Sequence, residues 1–166
     1  MIDKLGFRNA MANLAAAVNI VTCRGAEGPA GCTVSAACSV TDEPPTLLVC
    51  ISRASRSNAV FRESGALCVN VLSAAQQHIA QRFADSSVSV QERFALARWD
   101  TLTTGSPVLR EALASFDCEI TGAAELGTHT VFTCAVKAVQ THGSGDSLVY
   151  FARGYHRLTV TSSALA

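Results

Sequence analysis

Between Val49 and Phe61 the chain reads VCISRASRSNAVF, which places Ser52, Ser55 and Ser57 with Arg53 and Arg56 between an apolar run and the start of a helix. Hydroxyls, free backbone N–H groups and the positive end of a helix dipole together hold an anion, most simply a phosphate. Arginine adds a planar, permanently charged fork. The same residues also suit a plainer task, with Ser55 or Ser57 capping the helix and the arginines in solvent. No G-x-G-x-x-G pattern and no P-loop accompanies them, so a dinucleotide here is not held in the Rossmann manner.

Two further stretches carry polar groups at strand spacing. In GCTVSAACSV, Gly31 to Val40, small side chains would let a flat ligand approach the backbone. Read as one strand, it puts Thr33, Ser35 and Ser39 on one face and Cys32, Val34 and Ala36 on the other. Such a face could hydrogen-bond the polar edge of an aromatic heterocycle, or be an ordinary half-exposed strand. In LGTHTVFTCAV, Leu126 to Val136, Gly127 interrupts the pattern just before His129, which then alternates with Val131 and Thr133. A lone strand histidine serves structure or chemistry, and this segment leaves both open.

The elements that position these groups follow from periodicity and turn chemistry. FRNAMANLAAAV (residues 7–18) reads as an amphipathic helix with Phe7, Ala10, Met11 and Leu14 on one face. VNIVTC (18–23), CTVSAACSV (32–40), TLLVCIS (46–52) and ALCVNVLS (66–73) read as strands, with a short helix from Ser57. Ser73 and Gln76 form a capping box for the helix AAQQHIAQRFA (74–84). Residues 85–107 read as a looser polar region, followed by strands over 112–126, 128–142 and 147–154, the last two joined by the turn sequence GSGDS. Many strands, few helices and short connections predict a barrel and not alternating βαβ units.

Composition narrows the function classes. The chain has 166 residues, 49% hydrophobic and only 16% charged, with 13 basic and 13 acidic side chains. One domain with a sizeable core is expected, and the apolar surplus points to a subunit interface. The zero formal charge gives no electrostatic footprint for nucleic acid. No apolar run is long enough for a membrane span, and the N-terminal MIDKLGF, with its early acid, does not read as a signal peptide. The seven cysteines are scattered, with no C-x-x-C and no histidine at zinc-site spacing. They are expected to be small buried hydrophobes in a reducing cytoplasm.

The order AVNIVTC, GCTVSAACSVTDEPPTLLVCISRASRSNAVF, GALCVNVLS, IAQRFA, GSPVL, GTHTVF and LVYFARGYH resembles the short-chain flavin reductases. Within that family it is most similar to the reductase component of 4-hydroxyphenylacetate 3-monooxygenase. The likeness runs from Phe7 to about Leu158. It implies a mainly β, FMN-binding split β-barrel of Greek-key type with a few flanking helices. It also implies a homodimer, one domain over residues 1–166, and FAD or FMN with NADH as cofactors. Carried over by position, Thr33, Val34, Ser35 and Ala36 would line the isoalloxazine ring. Cys50, Ile51 and Ser52 would follow its edge and the ribityl chain. Ser55, Arg56, Ser57 and Asn58 would face the phosphate, and Phe83 would lie close to the flavin. His129, the catalytic candidate, would sit where nicotinamide stacks, with Tyr155 and His156 near the site. The sequence departs from many relatives at GTH, where an acidic residue often precedes the histidine, and at Cys134, where glycine is common. The implied activity is hydride transfer from NADH to flavin, supplying a flavin-dependent oxygenase of aromatic catabolism. A flavin-retaining electron carrier of the same fold is the alternative. An oxidase of the pyridoxamine-phosphate type would need a second basic cluster, and the sequence shows none.

Overall fold

The computed structural model describes residues 2–142 and 145–161. Seven antiparallel strands form the main sheet. In chain order they are β2 (Asn19–Gly25), β3 (Gly28–Val34), β4 (Ala37–Asp42), β5 (Pro45–Ser52), β6 (Ala66–Val71), β9 (Ala114–Leu126) and β10 (His129–Thr141). Their order across the sheet is β3-β2-β6-β9-β10-β5-β4. The two outermost strands, β3 and β4, are neighbours in sequence, joined only by Ser35 and Ala36. So short a link requires the sheet to curl until its edges meet. The two edges meet without pairing, so the barrel is split between β3 and β4, and the Cys50 N–H bond to the Ala36 carbonyl at 2.9 Å extends the β4–β5 ladder up to the link. This is the split barrel expected from the sequence.

The barrel interior is apolar. Val21, Val49, Leu67 and Cys134 are fully enclosed, and Phe61 meets Phe132 edge to face with centroids 6.3 Å apart. Phe61 comes from α2 (Arg56–Ser64), which Ser55 caps and which Gly65 ends in a left-handed conformation at φ 67°. A second core lies outside the barrel, where α3 (Gln77–Ala84) brings Ile79, Ala80 and Phe83 against Ile20 and Leu109. Ser73 and Gln76 do form the expected capping box, on a short 3-10 turn (Ala74–Gln76) that leads into α3.

Four local expectations need correction. The first helix, α1, covers Lys4–Met11 and not 7–18. Asp3 caps it with a 2.6 Å bond from Gly6 N–H, and the Asn13 amide donates to the Asn9 carbonyl at its end. Ala16–Ala17 instead make a two-residue strand, β1, paired with β11 (Ser147–Phe151). Residues 32–40 are not one strand but the end of β3 and the start of β4, so the common face of Thr33, Ser35 and Ser39 is lost. The polar stretch after α3 is ordered: it holds α4 (Val90–Phe94), with a Ser89–Glu92 capping box, and the hairpin β7 (Trp99–Thr101) and β8 (Pro107–Leu109). Finally, β11 pairs with β12 (Gly154–Leu158) in a small side sheet. Part of the GSGDS turn lies outside the described residues.

The buried amide of Asn70 ties the β7–β8 hairpin to the barrel. It donates to the Ile20 carbonyl at 3.0 Å and accepts from Leu109 N–H at 2.8 Å and Ser115 Oγ at 2.9 Å. Among the described residues no helix is long and apolar enough to cross a membrane.

Candidate active site

A cavity of about 490 Å³ opens at the split in the barrel, within the usual range for small-molecule sites. Three chain segments meet there. The β3–β4 link supplies Val34, Ser35 and Ala36, the end of β5 supplies Cys50, Ile51 and Ser52, and the α2 N-terminus supplies Ser55, Arg56 and Ser57. Phe83 and His129 complete its walls. Among the described residues no carboxylate lines it, while two arginines do.

The split determines the chemistry at one end. Where the ladder stops, Ser35 and Ala36 donate their backbone N–H groups to no other described residue, and both border the cavity. Both residues are exposed, so these N–H groups face the open cavity and are available to acceptors on a ligand. The Thr33 hydroxyl does not join them. It donates to the Ala80 carbonyl at 2.6 Å and fastens α3 to the barrel.

The opposite end gathers serine hydroxyls and two guanidinium groups around the α2 N-terminus. Ser55 Oγ accepts from Ser57 N–H at 3.3 Å and so caps α2, leaving its own O–H to donate. Ser57 Oγ donates to the Gly31 carbonyl at 3.0 Å. Arg56 donates to the Ser86 carbonyl and Arg93 to the Asp85 carbonyl, so both guanidinium groups are held at the cavity wall by the loop after α3. Capping and anion binding, alternatives in the sequence, are compatible at Ser55, because capping uses the serine oxygen as acceptor and an anion would use its hydrogen.

Phe83 is 1% exposed and forms a wall. It packs on Phe94 and Trp99 at 5.2 and 5.8 Å, both edge-on or tilted. β3 approaches this ring so closely that a Cβ at Gly31 would stand 3.1 Å from Phe83 Cε1 and 3.0 Å from the Val21 carbonyl. A larger residue there would need the Val21 carbonyl or the Phe83 ring to give by a few tenths of an ångström.

His129 begins β10 at the rim, directly opposite Ser52 on β5. The preceding turn is tight, with Gly127 at φ 55°, which glycine adopts without strain. Arg53 braces it: its N–H donates to the Thr128 carbonyl at 2.9 Å and Nη1 to the Gly127 carbonyl at 3.2 Å. Glu125 joins Arg53 and Arg62, and the Arg62 hydrogen bond followed by the Arg53 charge holds its carboxyl below the usual range. Thr128 Oγ1 lies 2.9 Å from His129 Nδ1. That contact orients the ring and leaves Nε2 for a ligand.

Three of the candidates from the sequence are not in the cavity wall. Asn58 is buried beneath it, its amide donating to the Ile51 carbonyl and to Thr130 Oγ1, both at 3.1 Å. It shapes the floor and is not placed to hold a phosphate. Asn58→Ala leaves those acceptors unpaired, a cost of about 1–3 kcal/mol. The expected result is a Tm lower by several degrees with normal flavin affinity in the folded fraction, read by thermal melts and fluorescence titration. Tyr155 and His156 lie on β12, where Tyr155 packs on Tyr150 and His156 Nε2 contacts the Phe151 carbonyl at 2.9 Å. Neither borders this cavity within one chain.

Arg93 was missed, because it falls in the stretch read as loose. The S-x-x-E signature at Ser89–Glu92 was the available signal for the helix that carries it. The cysteines divide by place. Burial pushes the Cys23, Cys118 and Cys134 thiols up to about 12, so they stay neutral. Cys68 is buried as well, so the expectation of burial holds for four of the seven, while Cys32 and Cys50 border the cavity and Cys38 is exposed. Burial pushes Cys32 up to about 11, with the Ser55 hydroxyl and the Arg93 charge acting the other way. Among the described residues no cluster could hold a metal.

Comparison with known proteins agrees with this geometry. The chain is 51% identical over 160 residues to FMN reductase (NADH) RutF of Bradyrhizobium diazoefficiens, covering 96% of this chain and 88% of the relative. Its fold superposes on BorF, the flavin reductase component of a bacterial two-component tryptophan halogenase, with TM-score 0.88 and 30% identity, covering 96% of this chain and all of the other. The NADH:FAD oxidoreductase SgcE6 of Streptomyces globisporus, solved with NAD and FAD fragments, gives TM-score 0.87 at 25% identity, covering 96% and 95% of the two chains. The model of the flavin reductase like domain matches residues 11–159, and the chain belongs to that family.

Proposed function

We propose that the protein is an NADH-dependent flavin reductase that takes FMN or FAD as an exchangeable substrate and supplies reduced flavin to an oxygenase. The observation that carries this reading is the polarity of the cavity at the split. Unpaired backbone donors stand at the split, serine hydroxyls and arginines stand at the α2 N-terminus, and no carboxylate lies between them. That sequence of groups matches a flavin laid along it, ring edge at Ser35–Ala36 and phosphate at Ser55–Ser57. The relatives named FMN reductase (NADH) support both substrates.

Flavin accepts a hydride from the dihydronicotinamide of NADH, and the bond-making belongs to those two molecules. The chain supplies orientation and charge. The Ser35 and Ala36 N–H groups stabilise negative charge growing at the ring edge. Phe83 holds the ring from one side, and His129 Nε2 fixes the nicotinamide on the open side by a hydrogen bond. Stacking the rings at near-attack distance makes the step effectively unimolecular. No side chain is needed as a general base, which accounts for a site of small residues and hydroxyls.

Openness of the cavity at the split favours exchange of flavin and so the reductase over the electron carrier. For the partner, the motif series points to an aromatic hydroxylase of the 4-hydroxyphenylacetate 3-monooxygenase kind. BorF, a halogenase component, shows that the fold also serves another class. Residues 1–166 act as one domain, in the cytoplasm. A homodimer is supported by α1, which buries no residue in its own chain while Leu5 and Phe7 are 65% and 54% exposed. Light scattering is expected to give twice the chain mass.

The reading is tested by NADH oxidation across a concentration series of FMN, FAD and riboflavin. The rate is expected to saturate in free flavin, with NADH preferred over NADPH, because the cavity arginines are already committed to the flavin phosphate. A rate independent of added flavin would favour the carrier.

A further inference from the structure

His129 stands exposed at the cavity rim, and its aim depends on the backbone that carries it, the tip of the β9–β10 hairpin. That tip projects. β6 pairs with β9 only over Ala114–Glu119, and the last described backbone bond on that side is Ile120 N–H to the Gly65 carbonyl at 2.8 Å. From Thr121 to Leu126 no residue of β9 is buried. Beyond Ile120 the sheet therefore holds the hairpin from one side only, by β5 through its pairing with β10. A two-stranded ribbon without a packed face is marginal in water, and segments with few buried contacts open easily.

Ion pairs stand where the missing strand would be. Glu125, in the unpaired part of β9, holds Arg62 of α2 at Oε1 and Arg53, from the link between β5 and α2, at Oε2, the latter at 3.0 Å. Arg53 also reaches the turn, with Nη1 donating to the Gly127 carbonyl at 3.2 Å and its backbone N–H to the Thr128 carbonyl at 2.9 Å. A single residue thus ties the carboxylate and both residues before His129 to the end of β5. The three side chains are 41–49% exposed, a setting in which ion pairs add little to stability. None of the three lines the cavity. What the cluster controls is the place of the turn and so of the histidine that follows it.

We propose that Glu125 and Arg53, backed by Arg62, are positioning residues that clamp the β9–β10 turn and so set His129 against the nicotinamide. This inference rests on the reading of His129 as the nicotinamide contact. Charge acting at a distance is the competing account, since the nicotinamide becomes a cation as its hydride leaves for the flavin. The two differ in sign. A field makes loss of Glu125 and loss of Arg53 act in opposite directions, whereas a clamp makes them act alike.

The test is stopped-flow reduction of bound FMN by NADH in the wild type, Glu125→Gln, Arg53→Gln, His129→Ala and the double variant His129→Ala, Glu125→Gln. FMN Kd and Tm are measured beside it. The hydride-transfer rate is expected to fall by about three- to tenfold in both Glu125→Gln and Arg53→Gln, part of the roughly hundredfold that a misplacement of about an ångström can cost. FMN Kd and Tm stay nearly unchanged. In the His129→Ala background Glu125→Gln is expected to have no further effect, because a clamp acts through the histidine. An unchanged rate in Glu125→Gln, opposite effects of the two single variants, or an undiminished effect of Glu125→Gln without His129 would each overturn the inference. A slower rate matched by an equal loss of FMN affinity would overturn it too, making the cluster a support of the whole site. If His129→Ala slows the transfer and Glu125→Gln does not, the clamp alone fails. If His129→Ala itself leaves the rate unchanged, the reading of His129 fails, and the clamp with it.

Discussion

Replacing His129 with alanine is expected to lower kcat/KM for NADH by about 10- to 100-fold while flavin affinity changes little. One lost neutral hydrogen bond accounts for about 0.5–1.5 kcal/mol, and looser alignment of the two rings adds the rest. The structure makes the kinetic and structural roles separable. His129 is exposed, and among the described residues its side chain hydrogen-bonds only to its neighbour Thr128, so its removal costs the fold little. Stopped-flow reduction of the flavin-loaded variant measures the step directly. A lower Tm with an unchanged hydride-transfer rate would return His129 to a structural role.

The double variant Ser55→Ala, Ser57→Ala is expected to weaken FMN binding by about tenfold or more, since hydrogen bonds to a charged group contribute about 1.5–3 kcal/mol. Riboflavin, which lacks the phosphate, provides the internal reference. Both substitutions also have costs inside the protein: Ser55 caps α2, and Ser57 is buried and satisfies the Gly31 carbonyl. Those losses weaken FMN and riboflavin alike. Because the Ser57 hydroxyl is already donated to the Gly31 carbonyl, a larger loss for FMN than for riboflavin, by fluorescence quenching, identifies Ser55 as the phosphate ligand. Equal losses would leave it as a cap.

Strands and their turns were legible because the barrel imposes a period of two on half-buried segments, as in the alternation along β5 from Leu47 to Ser52. The α2 N-terminus was legible because three serines and two arginines fall within the six residues from Ser52 to Ser57. What the sequence concealed has a physical cause in each case. The break at Ser35–Ala36 is set by the curl of a whole sheet, a tertiary constraint with no local signature in small residues that suit a strand equally well. The early end of α1 reflects a helix with no face packed in its own chain, for which propensity alone does not extend the pattern. Asn58 reads as a polar residue beside a phosphate site, yet burial commits its amide to Ile51 and Thr130. Arg93 lies about 40 residues from the serines it joins, a proximity created by folding the loop after α3 against α2.

Substrate turnover is the central claim, and anaerobic titration reads it directly. Purified protein is mixed without oxygen with FMN in large molar excess and with NADH, and the flavin absorbance is followed to completion. The expected result is reduction of FMN far beyond one equivalent per chain, limited only by the NADH supplied. Reduction that stops at one flavin per chain, with the excess left oxidised, would contradict the reductase reading and make the protein a carrier that keeps its flavin.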